Sequence, residues 1–521
     1  MLVSTRLAVV MSMLVGRGGA SFVSNPGVGD ERLGALVPVA TDPSAASSDA
    51  LSSAAAKSPS AVFTTLAGVR DPFDPGPTRD PIPRDPTWGE GSAKSYWIPA
   101  LDIVGFQILL SVFNRNFGEE GTYDSDFSSI QDNLHSGWVI DRDPFAVNQF
   151  LHPYQGSIYH GFARSAGLNY WEALGYDFAG STLWEVAGET DPPSLNDEIT
   201  TTFGGSFLGE ALFRMSNLLL EGGGESPGLG RSLGAGLISP SAGFNRLAFG
   251  DRFDTVYASH DPATFWSASA GLRHNARVTD VGSLSDVQED EAVAIFTMDY
   301  GLPGKTGYAY DRPFDYFHFE ATATSSTDAT PENIMSRGLL VGSDYAAGDS
   351  YDGVWGLYGS YDYFAPELFS VSSTAVGLGT TGQWRISDDV TLQGTLMSGV
   401  GWTAVGAIAD AEEDRNYRYG WSPQALIALR ALFGTRVLFD ITGRDYYVDG
   451  SGSIGSTGGE NILRVQATLT VRVYEHHAVG LQFVASQRNS SFSDVPDTLQ
   501  EVGALSLIYT YLGETGFGAV R

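Results

Sequence analysis

Two histidines and a few carboxylates, in one polar stretch of the first half of the chain, are the side chains best suited to chemistry. His152 has the character of a general base, and Glu185 that of the acid that would orient it. Ser181 or Ser157 would then supply the nucleophile of a hydrolase. Neither serine lies in a Gly-x-Ser-x-Gly elbow, so the serines are candidates without a supporting motif.

The same stretch contains ligand types that zinc or iron accepts. His152 and His160 would supply imidazole nitrogens, and a carboxylate would come from Glu185, Glu189 or Glu210. The two histidines do not follow His-x-x-x-His or Glu-x-x-His spacing, and no motif fixes a third ligand. We therefore predict no metal and no cofactor. The competing interpretation is a polar core in which buried histidine, arginine and carboxylate side chains satisfy one another.

Polar residues recur along this stretch at steps of four, which places them on one face of a helix. The candidates for catalysis are His152, His160, Glu185 and Ser181. The candidate binding cluster, for which a structural role is the alternative, is Asn148, Tyr154, Tyr159, Arg164, Trp171, Asp197 and Glu210.

Helices must position these side chains. A mostly apolar helix is predicted from Tyr96 to Phe117, and a second from near Trp171 to Glu189, where Pro192-Pro193 follows. A third is predicted from Asp197 to Leu220, in which small residues at Gly205 and Gly209 favour close helix packing.

A composite motif runs through residues 145 to 220. It consists of Asn148, His152-Pro153-Tyr154, Gly156, Tyr159, Ala163-Arg164, Trp171-Glu172, Gly180-Ser181, Trp184-Glu185, Asn196-Asp197, Gly204-Gly205 and Gly209-Glu210. This pattern resembles the bacterial domain of unknown function 3943, and residues 239 to 249 resemble that family's closing segment. The resemblance implies a bacterial envelope protein and no particular mechanism.

The whole chain is predicted to have four parts, one of which contains this motif. Residues 1–20 resemble a secretory signal peptide, with Arg6 before a short apolar run. Residues 21–95, rich in Pro, Ala, Ser and Asp, are predicted to be a disordered linker. Residues 96–250 then form the helical domain, and residues 251–521 a β-barrel.

Alternation of apolar and polar residues predicts the barrel, most clearly from Ile462 to Val473. About twelve long strands are expected, beginning near residues 264, 291, 314, 334, 353, 369, 389, 417, 436, 461, 478 and 501. Short and long connections alternate from residue 384 on, as in outer-membrane barrels, although the connection from Phe364 to Leu368 is short where a long one is due. A soluble β-sandwich is the alternative.

The predicted fold class is thus mainly β: a 12-stranded antiparallel transmembrane barrel with helices plugging it or docked on its periplasmic side. The lumen arginines Arg436, Arg444, Arg464 and Arg472 would pair with acidic residues of the helices. The location is the bacterial outer membrane, with the helical domain periplasmic or in the lumen.

Composition limits the function. The formal charge of −31 argues against nucleic acid, and the absence of cysteine excludes disulfides and thiolate chemistry. The expected partners are outer-membrane lipid and the barrel-assembly machinery; the sequence does not indicate an oligomeric state. Two functions remain open: a structural, channel or envelope-organising protein, and an envelope hydrolase acting on lipid or glycan.

Overall fold

The computed structural model describes residues 94–117, 122–141, 143–224, 226–250, 256–280, 290–325, 331–407, 417–450, 457–493 and 495–520, which belong to one compact unit. The predicted signal peptide and all but the last two residues of the predicted linker lie outside these residues.

The described helices come first in the chain. They are α1 (Trp97–Phe117), α2 (Phe127–His135), α3 (His152–Ser165), α4 (Tyr170–Ala187), α5 (Leu195–Ile199), α6 (Gly205–Glu221), α7 (Gly228–Ile238) and α8 (Pro240–Phe249). Two π-helical turns, Val147–Leu151 and Thr200–Gly204, lead directly into α3 and α6.

Local sequence explains where the helices begin. Asn169 caps α4 by accepting from the backbone N–H of Glu172, whose side chain accepts in return from the Asn169 N–H. Ser194 caps α5 by accepting from the backbone N–H of Asp197, without a reciprocal bond. The third predicted helix forms as a continuous helical run from Leu195 to Glu221, in which the turn Thr200–Gly204 is π-helical.

Twelve antiparallel strands close into a barrel, in which every strand pairs with its neighbours in the sequence and β1 pairs with β12. They are β1 (Thr264–Asp280), β2 (Asp290–Tyr300), β3 (Phe317–Thr324), β4 (Asn333–Ala347), β5 (Tyr351–Phe364), β6 (Phe369–Ser387), β7 (Val390–Ala407), β8 (Tyr417–Phe433), β9 (Val437–Val448), β10 (Gly458–Tyr474), β11 (His477–Phe492) and β12 (Val495–Leu512). The predicted strand number and barrel are confirmed.

Side chains alternate between the lumen and the outside. On β5, Trp355 is 56% exposed and points outward, whereas Asp362 points inward and is 4% exposed. Arg444 of β9 reaches Asp362 at 3.3 Å, although β9 and β5 are not neighbours in the barrel, so these groups meet across the lumen. The lumen arginine Arg464 pairs similarly with Glu332 at 2.8 Å.

The helical region packs against the outward face of the wall. Tyr361 lies on the same face of β5 as Trp355, yet it is fully buried, and its hydroxyl donates to the carbonyl of Gln149 at 2.6 Å. Phe150 packs on Tyr363, also outward, at 5.7 Å between ring centroids. The helices therefore cover part of the surface that a barrel in a membrane turns towards lipid.

This arrangement differs from the predicted lumen plug. The lumen arginines Arg444 and Arg464 are neutralised by acidic residues of the barrel itself, whereas Arg472 is half-buried beside Thr435 and Arg436 is exposed just before β9. The predicted pairing with Glu185, Glu189 and Glu210 does not form, since those carboxylates lie on the other side of the wall. Strand alternation identifies the two faces of a wall but not the one on which a separate domain packs.

The described barrel residues close their own lumen. After β12 the tail turns inward, where Phe517 is fully buried and the carbonyls of Gly518 and Val520 accept from Gln393 and Gln383 at 2.8 and 2.7 Å. At the other end, Leu368 in the short connection after β5 accepts from Gln500 of β12, on the opposite side of the barrel, at 3.1 Å. The connection that departs from the short–long alternation thus crosses the mouth.

Candidate site in the helical region

Three residues from three separate helices meet inside the helical region. His152 begins α3, Glu185 lies in the last turn of α4, and Asp197 belongs to α5. One ligand atom from each lies within 4.8 Å of the others, and the three side chains are 5%, 2% and 1% exposed. His152 and Glu185 were predicted from the sequence as a base and its orienting acid, whereas Asp197 was predicted as part of the binding cluster.

Neighbouring groups hold these side chains in place. His152 Nδ1 lies 3.2 Å from Thr201 Oγ1 in the second π-turn, and Glu185 Oε2 accepts from the Ser194 N–H at 2.8 Å. Asp197 Oδ1 accepts from Asn196 at 3.0 Å. Asn196 also donates to the hydroxyl of Tyr419, so the barrel wall supports the site.

The cluster contains two carboxyl groups without a described cationic partner. Burial lowers the pKa of His152 to about 4, which keeps its imidazole neutral. Burial, and then repulsion from Glu189, raises the pKa of Glu185 well above its ordinary value. Burial and the charge of Glu185 do the same to the pKa of Asp197. Within the described residues, no ion pair joins either carboxylate to lysine or arginine.

A second polar cluster is built around Glu210 of α6. Arg164 contacts both of its oxygens, at 2.6 and 3.0 Å, and Arg214 contacts Oε1 at 2.8 Å. His160 bridges Glu210 and Asp177, with ring nitrogens 3.1 and 2.7 Å from their carboxylates. Burial would raise the pKa of Glu210, but the two arginines outweigh it and hold that pKa well below its ordinary value.

The second cluster also connects the helices to the barrel. Arg214 donates to Asp315, in the connection between β2 and β3, at 3.0 Å, and to the Pro313 carbonyl at 2.6 Å. His160, Arg164, Asp177, Glu210 and Arg214 are at most 2% exposed. This cluster has the composition of a polar core in which the side chains satisfy one another, which was the interpretation of the sequence that competed with a metal site.

The predicted serine nucleophiles are not hydrogen-bonded to the predicted base. Ser157 Oγ donates to the Tyr154 carbonyl at 2.6 Å. Ser181 is 1% exposed and lies one turn before Glu185. Across the described residues, no hydrogen bond joins His152 to either serine, so a hydrolytic triad is not assembled in this conformation.

The remaining predicted residues are dispersed. Asn148 donates to Asp141 at 3.1 Å and to Tyr417 at 3.0 Å. Tyr159 is fully buried, and its hydroxyl accepts from Gln107 at 2.9 Å. Tyr154 is half-buried and stacks on Phe150, while Trp171 is 51% exposed and takes no part in either cluster.

Sequence reasoning left three contributors out of the candidate cluster. Asp177 belongs to the four-residue repeat that contains Glu185, and Arg214 stands four residues after Glu210, so both carried a signal. Thr201 carried none, because its role depends on a π-turn that brings its hydroxyl to His152.

Glycines allow the helices that carry the two clusters to cross closely. A Cβ on Gly156 would lie 1.9 Å from the Thr201 carbonyl oxygen, and one on Gly205 would lie 2.6 Å from the Gly156 Cα. This contact brings α3 against the π-turn and α6, which sets the positions of His152 and Thr201.

The fold defines a closed 12-stranded antiparallel β-barrel protein with an N-terminal helical region. Residues 137–241 match the family model described as Domain of unknown function (DUF3943), in agreement with the resemblance seen in the sequence. Both clusters fall within the matched residues except for contacts from the barrel. No curated protein matches the chain.

Solved outer-membrane channels are similar to about half of the chain. DcaP of Acinetobacter baumannii has 7% identity and a TM-score of 0.24, covering 48% of this chain and 96% of that one. The toluene transporter TodX of Pseudomonas putida has 8% identity and a TM-score of 0.20, covering 49% and 90%. The anion-selective porin of Comamonas acidovorans has 7% identity and a TM-score of 0.20, covering 48% and 99%.

Proposed function

We propose that this protein is an outer-membrane barrel that holds a helical domain against its side, within the lipid layer, in a structural role in the envelope. The observation that carries the proposal is the distribution of polarity in the helical region, which is polar inside and apolar outside. A domain that folds in water has the opposite distribution.

Helix α1 illustrates this distribution. It is long and apolar enough to cross a membrane, and only 22% of its most apolar window is buried. Gln107 is buried, with its amide donating to Tyr159 and to the Gly180 carbonyl, whereas Leu101 and Ile108 are 68% and 61% exposed. Burying glutamine while exposing leucine is favourable when the surroundings are lipid.

Other helices expose apolar residues in the same way. On α7 the leucines Leu229, Leu233 and Leu237, which share one helix face, are 76%, 60% and 64% exposed. Leu247 of α8 is 87% exposed. An apolar surface of this extent is unusual for a soluble monomer and fits contact with lipid tails.

The uncovered part of the barrel has a matching apolar exterior. Along β11, buried and exposed residues alternate almost without exception, and the exposed set contains Val479, Leu481 and Phe483. Further outward residues at least 40% exposed include Leu272, Val376, Leu378, Leu396, Val400, Ile427, Leu429, Leu463, Leu469, Leu505 and Leu507. Outward apolar and inward polar residues are the pattern of a transmembrane barrel.

The closed lumen favours a scaffold over an open pore. A cavity in it has a volume of about 110 Å³ and is lined by groups such as Asp299, His318 and Arg430. That volume accommodates a few water molecules. The proposed role of the barrel is therefore to anchor the helices in the membrane, while the hydrolase alternative would need a path through the protein to His152.

Spin labels on single cysteines would test the lateral placement, because the chain has no native cysteine. We expect a label at Ile108→Cys or Leu233→Cys, in protein reconstituted in lipid, to collide with oxygen more than with a hydrophilic nickel chelate. A label at Leu481→Cys on the barrel should behave identically. Ser128→Cys, on exposed helix α2, is the water-accessible control.

Two results would overturn the proposal. If labels at Ile108→Cys and Leu233→Cys resemble the control and not the barrel position, the helical domain lies in water. If the unheated protein from washed outer membranes shows no compact gel band that shifts on boiling, the barrel is not a membrane barrel.

A further inference from the structure

The cluster of His152, Glu185 and Asp197 has the features of a metal site, which neither the family description nor the proposed structural role assigns. We propose that it binds one divalent first-row transition-metal ion, with zinc as the ion to be tested first. An imidazole nitrogen and two carboxylate oxygens are ligands that such ions accept.

Geometry is the first support. The three potential ligand atoms lie within 4.8 Å of one another, and they come from helices that meet only in the folded domain. A single ion placed among them would be bonded to α3, α4 and α5 at once. Metal ligation would therefore tie together the helices on which the family motif lies.

An unsatisfied acceptor is the second, independent support. Glu185 is 2% exposed, and its Oε2 accepts from the Ser194 N–H, but its Oε1 is buried with no hydrogen-bond partner. An isolated buried carboxylate oxygen is unfavourable by several kcal/mol unless a proton or a cation satisfies it. A metal ion would satisfy Oε1 and neutralise the charge shared with Asp197.

The surrounding hydrogen bonds are those that orient metal ligands. With its ring proton on Nδ1, His152 can donate to Thr201 Oγ1, which leaves the Nε2 lone pair available. The Ser194 N–H holds Glu185, and Asn196, itself bound to Tyr419, holds Asp197. The second cluster differs, since Glu210 is already neutralised by Arg164 and Arg214.

The burial of the site indicates a structural ion. Catalytic metal sites keep one position open to substrate, whereas here the position beyond the three protein ligands is closed off from solvent and would be filled by a buried water or a second carboxylate oxygen. The inference stands apart from the lateral placement in lipid, because the site would bind metal in detergent equally well.

Metal titration of the purified full chain in detergent tests the proposal. After treatment with a chelator, we expect the protein to take up one Zn²⁺ per chain and to unfold at a higher temperature. Glu185→Gln and Asp197→Asn should lose the bound zinc and the thermal shift. Thr201→Val, which removes only the orienting contact, should weaken binding by about 10- to 100-fold.

A histidine paired with one carboxylate elsewhere provides the matched control. His318 lies 2.7 Å from Asp299 in the lumen, so His318→Gln should bind zinc as the unmodified protein does. The proposal is overturned if the unmodified protein binds neither Zn²⁺, Mn²⁺ nor Fe²⁺ while folded, or if both carboxylate variants bind normally.

Cobalt spectroscopy decides the question if a variant fails to fold. Co²⁺ added to the unmodified protein should give the intense visible bands of a four- or five-coordinate ion held by protein ligands. A spectrum identical to that of hydrated Co²⁺ would overturn the proposal without any variant.

Discussion

Glu210 is the residue on which the second buried cluster depends. Replacing it with glutamine would leave Arg164 and Arg214 facing an uncharged group in a site with no access to water. Losing one member of a buried ion pair is strongly destabilising, so we expect Glu210→Gln to lower the free energy of unfolding by about 3–5 kcal/mol. Denaturant titration in detergent, followed by tryptophan fluorescence, measures this change.

Glu172 provides the matched comparison. Its carboxylate pairs with Lys94 at 2.6 Å, with side chains 26% and 21% exposed. Solvent-exposed pairs contribute about 0–1 kcal/mol, so Glu172→Gln should cost far less than Glu210→Gln. Equal effects of the two substitutions would contradict the view that Glu210 is the charge centre of the core.

At the residue scale, most of the buried polar residues could be predicted from the sequence, but not their division into two separate clusters. His152, Glu185 and Asp197 were each singled out, as were His160, Arg164 and Glu210, because polar residues at helical spacing must meet partners. Their division into one charge-compensated cluster and one unsatisfied cluster depends on the crossing of α3 with α6. That crossing is set by tertiary packing, which spacing along a single helix does not encode.

At the scale of elements, the crossing at Gly156 positions both clusters. A methyl group there would meet the Thr201 carbonyl oxygen at 1.9 Å, so Gly156→Ala must push the π-turn away from α3. We expect a loss of about 3 kcal/mol in unfolding free energy, at the upper end of overpacking costs. Because Thr201 orients His152, the variant should also lose zinc affinity in the same titration.

Gly175 is the control on a neighbouring helix. It lies in the exposed middle of α4, and nothing lies within 4 Å of a Cβ at that position. Gly175→Ala should therefore stabilise the protein by about 0.5–1 kcal/mol, through the better helix propensity of alanine. If Gly156→Ala proves equally harmless, the close crossing does not hold the site together.

The strands were more predictable than the packing of the helices. Alternation is a local property, so the predicted starts near residues 264, 369 and 417 coincide with the observed ones. Aromatic residues near strand ends, such as Tyr361 and Tyr363, are typical of a membrane girdle. They are outward as expected, but the helices cover them, and an aromatic residue that faces lipid looks the same in sequence as one that faces a helix.

At the scale of the whole molecule, the helical region packs on the outer wall of the barrel, where the sequence did not predict it. The helices, predicted either to plug the lumen or to dock on its periplasmic side, pack against the outer wall, and the described C-terminal residues occupy part of the lumen. The tail is short and contains no strongly patterned sequence, so only the closed barrel shows where it must fold. The barrel wall thus lies between the lumen and the helical region, which packs on its outward face.

We predict that the tail limits the permeability of the barrel. Phe517 packs on Phe265 at 6.3 Å between ring centroids, and Gln383 bonds both the N–H and the carbonyl of Val520. Truncation after Gly513 leaves β12 complete at Leu512, so the barrel should still form. We expect the truncated protein to produce stepwise conductance in planar bilayers, where the full chain remains closed or conducts far less.

The connection between β5 and β6 sets a limit on that effect. Glu367 contacts Asn275 of β1 and Leu368 contacts Gln500 of β12, so the opposite mouth remains crossed after the tail is removed. Replacing Glu367 with glycine and Gln500 with alanine in the truncated protein should raise the conductance further, because the two side chains that anchor the connection across the mouth are then lost. The same replacement in the full chain is the control and should leave it closed, since the tail still fills the other end. A full chain that conducts as strongly as the truncated one, with a heat-modifiable barrel intact, would show that the tail does not seal the lumen.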